Sequence, residues 1–108
     1  MTGLIQIAVS CPDEATARAL AEALVSRRLA ACAHVEAAFD SAYWWKGAVE
    51  RARETGLTAI TRADLFDRAA AAIRALHPYE TPAILARRLD FADPAYADWV
   101  RAETEGAA

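Results

Sequence analysis

The stretch SAYWWKG, residues 41–47, indicates the tip of a long β-hairpin. Successive residues of a strand point to opposite faces, so three consecutive aromatic residues place large apolar surface on both sides of the ribbon. A chain of 108 residues can hardly cover both sides by itself, which favours an interface between subunits. We interpret Tyr43, Trp44, Trp45 and Lys46 as interface or pocket residues.

The hydrophobic periodicity on either side of this hairpin predicts alternating strands and helices. In the first helix, apolar residues follow helical spacing, with Arg27 and Arg28 near its C-terminal end, where they complement the helix dipole. A bulge is expected at Gly56, where a glycine interrupts the second hairpin strand. The predicted elements are a strand over 4–9, a helix from Pro12 to Leu29, strands over 31–48 and 49–61, a helix over 64–76, a strand over 84–91 and a short helix that opens at Pro94.

This order, β-α-β-β-α-β with a short C-terminal helix, is typical of a ferredoxin-like α+β sandwich. We expect one domain over residues 1–108, in which two helices cover one face of a four-stranded antiparallel sheet. The other face stays open in a monomer, and Phe39, Trp44 or their neighbours would lie on it. Association of sheets from several copies is the simplest way to cover it.

Charge and hydropathy exclude several classes of function. The net charge is −3, so the chain has no broad basic field for nucleic acid or an anionic membrane. No apolar stretch reaches the roughly 18 residues of a membrane span, and the N-terminus lacks the pattern of a signal peptide. The two cysteines are too few for a disulfide scaffold and too far apart for a Cys-x-x-Cys motif. We therefore expect a cytoplasmic protein with reduced thiols.

A second informative segment is HPYETP, residues 77–82, which follows the second predicted helix. Each proline fixes its own φ and keeps the preceding residue out of the helical region. The two prolines therefore present Tyr79 and Glu80 on a stiff connector, and we predict that both residues line a pocket or an interface.

Metal binding needs imidazole, thiolate or carboxylate groups that converge at ligand distance. The candidate ligands are His77, Cys11 and Glu80, with Cys32 and His34 as further soft donors. No pair of them has ligand spacing in the sequence, so convergence depends on the fold or on a neighbouring subunit. The alternatives are structural: Cys32 as a buried apolar thiol and His77 as a helix cap. Cys11 precedes a helix N-terminus, a position that can lower the pKa of a thiol.

A small-anion site is another kind of pocket that the sequence allows. Arg51 and Arg53 lie on the hairpin and two further arginines lie at 87–88, so a cleft between subunits could gather them. The alternative is a solvated face, or ion pairs with Glu50 and Glu54 between subunits. The four glycines are not grouped into a phosphate-binding loop. No nucleophile, base and orienting acid appear in recognisable form, so we expect no catalytic residues.

Taken together, these motifs resemble the CutA divalent-cation-tolerance family, over roughly residues 5–99. The resemblance rests on four blocks in the same order and at similar spacing, with a late Tyr-x-x-Trp at 96–99. The four blocks are SCPDE at 10–14, RLAAC at 28–32, Ser-x-Tyr-x-Trp-x-Gly at 41–47 and HPYETP at 77–82.

The resemblance implies a ferredoxin-like subunit that assembles into a compact homotrimer through its long hairpin. It also implies a role in tolerance of divalent metals, notably copper, without an enzymatic activity or a certain cofactor. The family is similar in architecture to the PII signalling trimers, so a trimeric sensor or scaffold that binds a small ligand at its subunit junctions is the alternative.

The chain departs from the family pattern in the candidate site. Ala83 follows Pro82 where members usually carry a glutamate, which removes one candidate carboxylate. Arg51 and Arg53 occupy a strand in which the family tends to carry acids. Fold and trimer are compatible with these changes, whereas a metal site does not transfer with them.

Overall fold

The computed structural model describes residues 2–107, so Met1 and Ala108 of the predicted domain lie outside the described residues. A 3₁₀ turn over Ala63–Leu65 precedes the second helix. The helices and strands are β1 (Leu4–Cys11), α1 (Glu14–Ser26), β2 (Cys32–Trp45), β3 (Ala48–Arg62), α2 (Phe66–Leu76), β4 (Ile84–Leu89) and α3 (Pro94–Glu103).

The four strands form one sheet in the order β2-β3-β1-β4, and every neighbouring pair is antiparallel. β1 therefore lies inside the sheet, while β2 and β4 lie at its edges. One helix connects β1 to β2 and another connects β3 to β4. This arrangement confirms the predicted ferredoxin-like α+β fold.

The main core lies between the sheet and the first two helices. Alternate residues of β1 point to this side, as the period of a strand requires. They meet apolar residues spaced three and four apart on α1 and α2, which share one helix face. The buried members include Ile5, Ile7, Val9, Leu20, Leu24, Leu57 and Ile73.

The first helix begins as predicted but ends earlier. The side chain of Asp13 caps it by accepting a hydrogen bond of 2.8 Å from the Thr16 N–H. The helix ends at Ser26, and Arg28 adopts a left-handed φ of 58°. Arg27 is the C-cap and Arg28 follows it, so both lie near the C-terminal end of the helix, as predicted.

The third helix covers part of the sheet face that was predicted to be open. Ala97 and Val100 of α3 pack with Leu4 and Ile60 in a second, smaller core cluster. Leu4 lies on the opposite face of β1 from the main core, because strand residues alternate. The expectation that the helices leave this whole face uncovered was therefore wrong at the end of the sheet where Leu4 lies.

The bulge was expected at Gly56 in β3, but it lies in β2, directly opposite that glycine. The strand register shifts between Val35 and Ala38, while β3 runs unbroken through Gly56. A Cβ atom on Gly56 would lie 3.1 Å from Cε2 of Phe39 and 3.3 Å from Cβ of Glu36. The glycine therefore makes room for the bulged strand.

The last strand also ends earlier than the pattern predicted. β4 stops at Leu89, and Phe91 lies beyond it with an exposed side chain. Asp93 then caps α3 by accepting a hydrogen bond from the Tyr96 N–H, and Pro94 occupies the first turn.

Candidate functional site

The hairpin and the proline-bracketed loop, which are distant in the sequence, line one groove of about 800 Å³. We call it the hairpin groove. Its lining residues come from the end of β1, the distal part of β2, one position of β3 and the loop after α2. They are Ser10, Ser41, Ala42, Tyr43, Trp44, Trp45, Glu54, Pro78, Tyr79, Glu80, Thr81 and Ala83.

The groove exists because the hairpin extends beyond the rest of the sheet. β1 pairs with β3 only as far as Cys11 opposite Thr55, whereas β2 and β3 stay paired as far as Trp45 opposite Ala48. A two-residue turn with positive φ at both positions, 48° and 84°, joins them, as in the tight turns that match strand twist. The part of the hairpin between 39 and 54 is therefore an arm paired only with itself.

His77 fixes the loop to the end of β1. The backbone N–H of Tyr79 donates to Nδ1 of His77 at 3.1 Å, which makes this nitrogen an acceptor. Nε2 therefore carries the proton and donates to the Ser10 carbonyl at 2.8 Å. The imidazole is buried, and both of its nitrogens are used within the chain.

Tyr79 joins the loop to the hairpin at the floor of the groove. Its hydroxyl donates a hydrogen bond of 2.9 Å to Oε2 of Glu54. Glu54 is only 5% exposed. Burial, followed by this hydrogen bond, raises the pKa of Tyr79 to about 12. The phenol therefore remains a neutral donor over the physiological range of pH.

Cys11 follows the groove residue Ser10 in β1 and is fully buried in the main core. Burial, followed by the nearby charges of Asp13 and Glu54, raises the pKa of this thiol to about 11. The lowered pKa suggested by its place before a helix N-terminus was therefore wrong. Metals bind the thiolate, and the thiol form dominates here.

Lys46 and Glu80 form an ion pair of 3.4 Å between the turn of the arm and the loop. Both side chains are exposed, and the Lys46 ammonium also lies 5.4 Å from the ring centroid of Trp45. An exposed pair of this kind contributes little to stability. Its effect is to place a positive charge beside the aromatic wall.

The two hairpin arginines do not line the groove. Arg53 forms an ion pair of 2.9 Å with Asp40 on the neighbouring strand, and Arg51 lies opposite Ala42. The predicted alternative of a solvated face describes their surroundings. The partner of Arg53 is Asp40, whereas Glu54 is engaged by Tyr79.

Within residues 2–107, no group of three or more His, Cys, Asp and Glu side chains lies close enough to hold a metal ion. The predicted ligands His77, Cys11 and Glu80 therefore do not form a three-ligand group in one chain. Among the other soft donors, Sγ of Cys32 lies 3.3 Å from the Tyr96 hydroxyl, and His34 is exposed on the same strand.

Sequence reasoning identified both segments of the groove but missed the role of Glu54. It treated this glutamate only as an ion-pair partner of the neighbouring arginines. No signal in the sequence marked it, because its burial and its hydrogen bond depend on Tyr79, which is distant in the sequence.

Comparison with known proteins decides the family. Residues 5–103 match the family model of the CutA1 divalent ion tolerance protein. The chain belongs to the CutA1 family. Among curated CutA1 relatives, the divalent-cation tolerance protein CutA of Thermus thermophilus is 36% identical over 98 residues, which are 91% of this chain and 95% of that protein. Mouse protein CutA is 35% identical over 97 residues, 90% of this chain and 55% of that protein.

Solved CutA structures share the fold along nearly the whole chain. CutA from Xylella fastidiosa has a TM-score of 0.91 at 32% identity, with 95% of this chain and 99% of that one covered. A periplasmic divalent cation tolerance protein CutA from Archaeoglobus fulgidus has a TM-score of 0.91 at 28% identity, with 94% and 99% covered. The chain spans about half the length of its mouse and human CutA relatives.

The CutA1 family and its Thermus thermophilus member are named for tolerance of divalent ions rather than for a reaction. Over the described range 2–107, none of the helices has the length and apolar character needed to cross a membrane.

Proposed function

We propose that this chain contributes to tolerance of divalent metal ions, with copper as the ion, and that it works as a cytoplasmic, non-enzymatic homotrimer assembled through the hairpin arm. Family membership supports the first part. The observation that carries the second part is the exposure of large apolar side chains on the arm. Trp44 is 74% exposed, and Phe39, Tyr43, Trp45 and Val49 are also exposed.

The exposed residues lie on both faces of the arm, which is why folding of one chain cannot cover them. Trp44 and Val49 are cross-strand partners and share one face, because paired residues of antiparallel strands point the same way. Tyr43 and Trp45 lie on the other face by strand alternation. Burial of this surface by other copies would be favourable by about 25 cal/mol for each Å² of apolar surface.

The metal is proposed to bind where copies meet, because one chain does not supply three converging donors. Glu80 is the exposed carboxylate of the three candidate ligands. Cys11 would have to lose its proton and His77 would have to release one of its two hydrogen bonds before either could bind copper. The proposal therefore predicts weak binding at these two residues in an isolated chain and stronger binding in the assembly.

A copper titration of the assembled protein tests this role. We expect stoichiometric binding that Glu80→Gln, His77→Ala and Cys11→Ser each weaken, while Glu22→Gln on the exposed surface of α1 leaves it unchanged. Equal binding by all four variants would discard these ligands and the junction site with them.

Light scattering after size exclusion tests the assembly. Trp44→Asp places a charge on the proposed interface, so we expect a smaller species than the wild type. Val25→Asp places the same charge on an exposed apolar position of α1, away from the arm, and should leave the mass unchanged. A wild-type mass equal to that of one folded chain would refute the trimer.

A second candidate function is a trimeric sensor or scaffold that binds a small ligand. The hairpin groove favours it, since a groove of about 800 Å³ with aromatic walls and a few polar groups has the character of a small-molecule site. Metal titration and ligand titration distinguish the two functions directly.

A further inference from the structure

Glu54 is a largely buried carboxylate that lines the groove. Its Oε2 accepts from Tyr79, and among the described residues the fully buried side-chain atoms without a partner belong to Thr61 and Arg62, not to Glu54. No Lys, Arg or His of the described residues lies within ion-pair distance of either oxygen. A carboxylate that is 5% exposed and lines a groove can accept a further hydrogen bond from a cationic donor of a bound molecule, and such charge-assisted bonds are strong where water is largely excluded.

Aromatic side chains form much of the remaining wall. Tyr43, Trp44, Trp45 and Tyr79 all line the groove. The face of an aromatic ring is electronegative and attracts an ammonium or guanidinium group, most strongly for tryptophan. Of these rings, Tyr79 contacts the Glu54 carboxylate. Trp45 lies further along the arm than Phe39, the cross-strand partner of Glu54, so the groove combines a carboxylate at one end with an aromatic wall that extends away from it.

The chain itself supplies an example of this recognition. The Lys46 ammonium lies 5.4 Å from the Trp45 ring centroid and 3.4 Å from Glu80. A primary ammonium group is thus already held between an aromatic ring and a carboxylate in the part of the structure where the groove lies. Glu54 and Tyr79 offer a carboxylate beside an aromatic side chain in a more buried setting.

The charges around the groove disfavour the anionic ligands considered from the sequence. Its lining residues include Glu54 and Glu80 and no arginine, and Lys46 is engaged by Glu80. A phosphate or carboxylate would therefore meet like charge at the floor. A bare metal ion would find one buried carboxylate in the groove and no group of three ligands among residues 2–107.

We propose that the hairpin groove binds a small organic molecule through a protonated primary amine, with the ammonium donating to Glu54 and its alkyl part lying against Tyr43 and Trp45. The inference deepens the second candidate function and rests on it: the ligand shares the cover of Tyr43 and Trp45 at the subunit junction, while another copy covers the face that carries Trp44 and Val49. Tyr79 positions the carboxylate through its hydrogen bond, and Lys46 and Glu80 lie beside the entrance.

Titration of the full, assembled protein with n-butylammonium tests the proposal. Tryptophan fluorescence and the indole N–H signals in NMR spectra report the binding. We expect saturable binding that shifts the Trp45 indole signal. n-Butanol, which has a similar shape without the charge, and tetramethylammonium, which has the charge without N–H donors, should each bind at least about tenfold more weakly. Equal binding of butanol would overturn the proposal.

Glu54→Gln is the decisive variant, because the amide can still accept from Tyr79 while the charge is lost. We expect at least about a tenfold loss of n-butylammonium affinity, and Trp45→Leu should cause a several-fold loss because less apolar surface covers the alkyl part. Glu22→Gln, an exposed glutamate outside the groove, is the matched control. Unchanged affinity in both groove variants would overturn the proposal, and if Glu54→Gln does not fold, Trp45→Leu and the butanol comparison decide it.

The experiments distinguish a wrong amine site from a wrong trimer, because each gives a different result. A trimer that binds copper but shows no preference for n-butylammonium over butanol refutes the amine site alone. A monomer that binds n-butylammonium through Glu54 refutes the trimer and leaves the amine site standing.

Discussion

The Tyr79 hydroxyl donates a hydrogen bond of 2.9 Å to the buried carboxylate of Glu54. The two residues belong to the proline-bracketed loop and to the base of the hairpin arm, so this bond joins the two segments that line the groove. His77 secures the other end of the loop through the Ser10 carbonyl. The position of the loop therefore depends on two buried polar contacts rather than on apolar packing alone.

Removal of the Tyr79 hydroxyl should destabilise the fold. Tyr79→Phe keeps the ring but leaves a buried carboxylate without its donor, and we expect a loss of about 1–3 kcal/mol in the free energy of unfolding. Urea denaturation measures it. Tyr96→Phe removes a more exposed hydroxyl that contacts Cys32 and should cost less. A smaller effect of Tyr79→Phe than of Tyr96→Phe would contradict the role assigned to Tyr79.

Alkaline pH should weaken the fold. Folding raises the pKa of Cys11 from 9.0 to about 11 and the pKa of Tyr79 from 10.0 to about 12. For each group, there is a range of pH between its pKa in the unfolded chain and its raised pKa in the folded chain. In that range the unfolded chain has released a proton that the folded chain still holds, so the free energy of unfolding falls as pH rises. The contribution of these groups is fully present below about pH 9 and is lost between pH 9 and 12.

Urea midpoints measured at intervals across this range test the assignment of the groups. In Cys11→Ala, stability should decline less with pH in the lower part of this pH range. In Tyr79→Phe, it should decline less in the upper part. Both effects concern the slope against pH and not the absolute stability of the variant. Curves parallel to the wild type in both variants would show that other groups cause the decline.

Gly56 should tolerate a side chain poorly. In Gly56→Ala the new Cβ would lie 3.1 Å from a ring carbon of Phe39, and crowding of this kind typically costs about 1–3 kcal/mol. Thermal or urea unfolding measures the loss. Because Phe39 is partly exposed, Phe39→Leu should relieve the crowding, so the double variant should be less destabilised than the sum of the singles. Strict additivity would rule out this contact as the cause.

Much of the fold could be predicted because its signals are local. The apolar run over 4–9 located β1, and Pro12 with the helical spacing of apolar residues after it located α1. The position of α3 could not be predicted in the same way. Its packing joins Val100 to Ile60, and no short-range pattern in the sequence reports a contact across 40 positions.

The position of the bulge and the role of Glu54 were harder to predict from the sequence, because both depend on contacts with distant residues. Gly56 signalled an irregularity, but which strand takes the extra residue depends on the pairing of β2 with β3. Both segments of the groove could be identified from their aromatic residues and prolines. Glu54 could not, because its burial and hydrogen bond depend on Tyr79, 25 positions later in the chain.

Sedimentation of the wild-type chain through a dilution series tests most directly whether several copies together bury the apolar side chains of the hairpin arm. The account predicts one species with three times the mass of a single chain, unchanged from high to low micromolar concentration, and with the Trp44 fluorescence of a shielded indole. A folded single chain with Trp44 in contact with water throughout the series would contradict it.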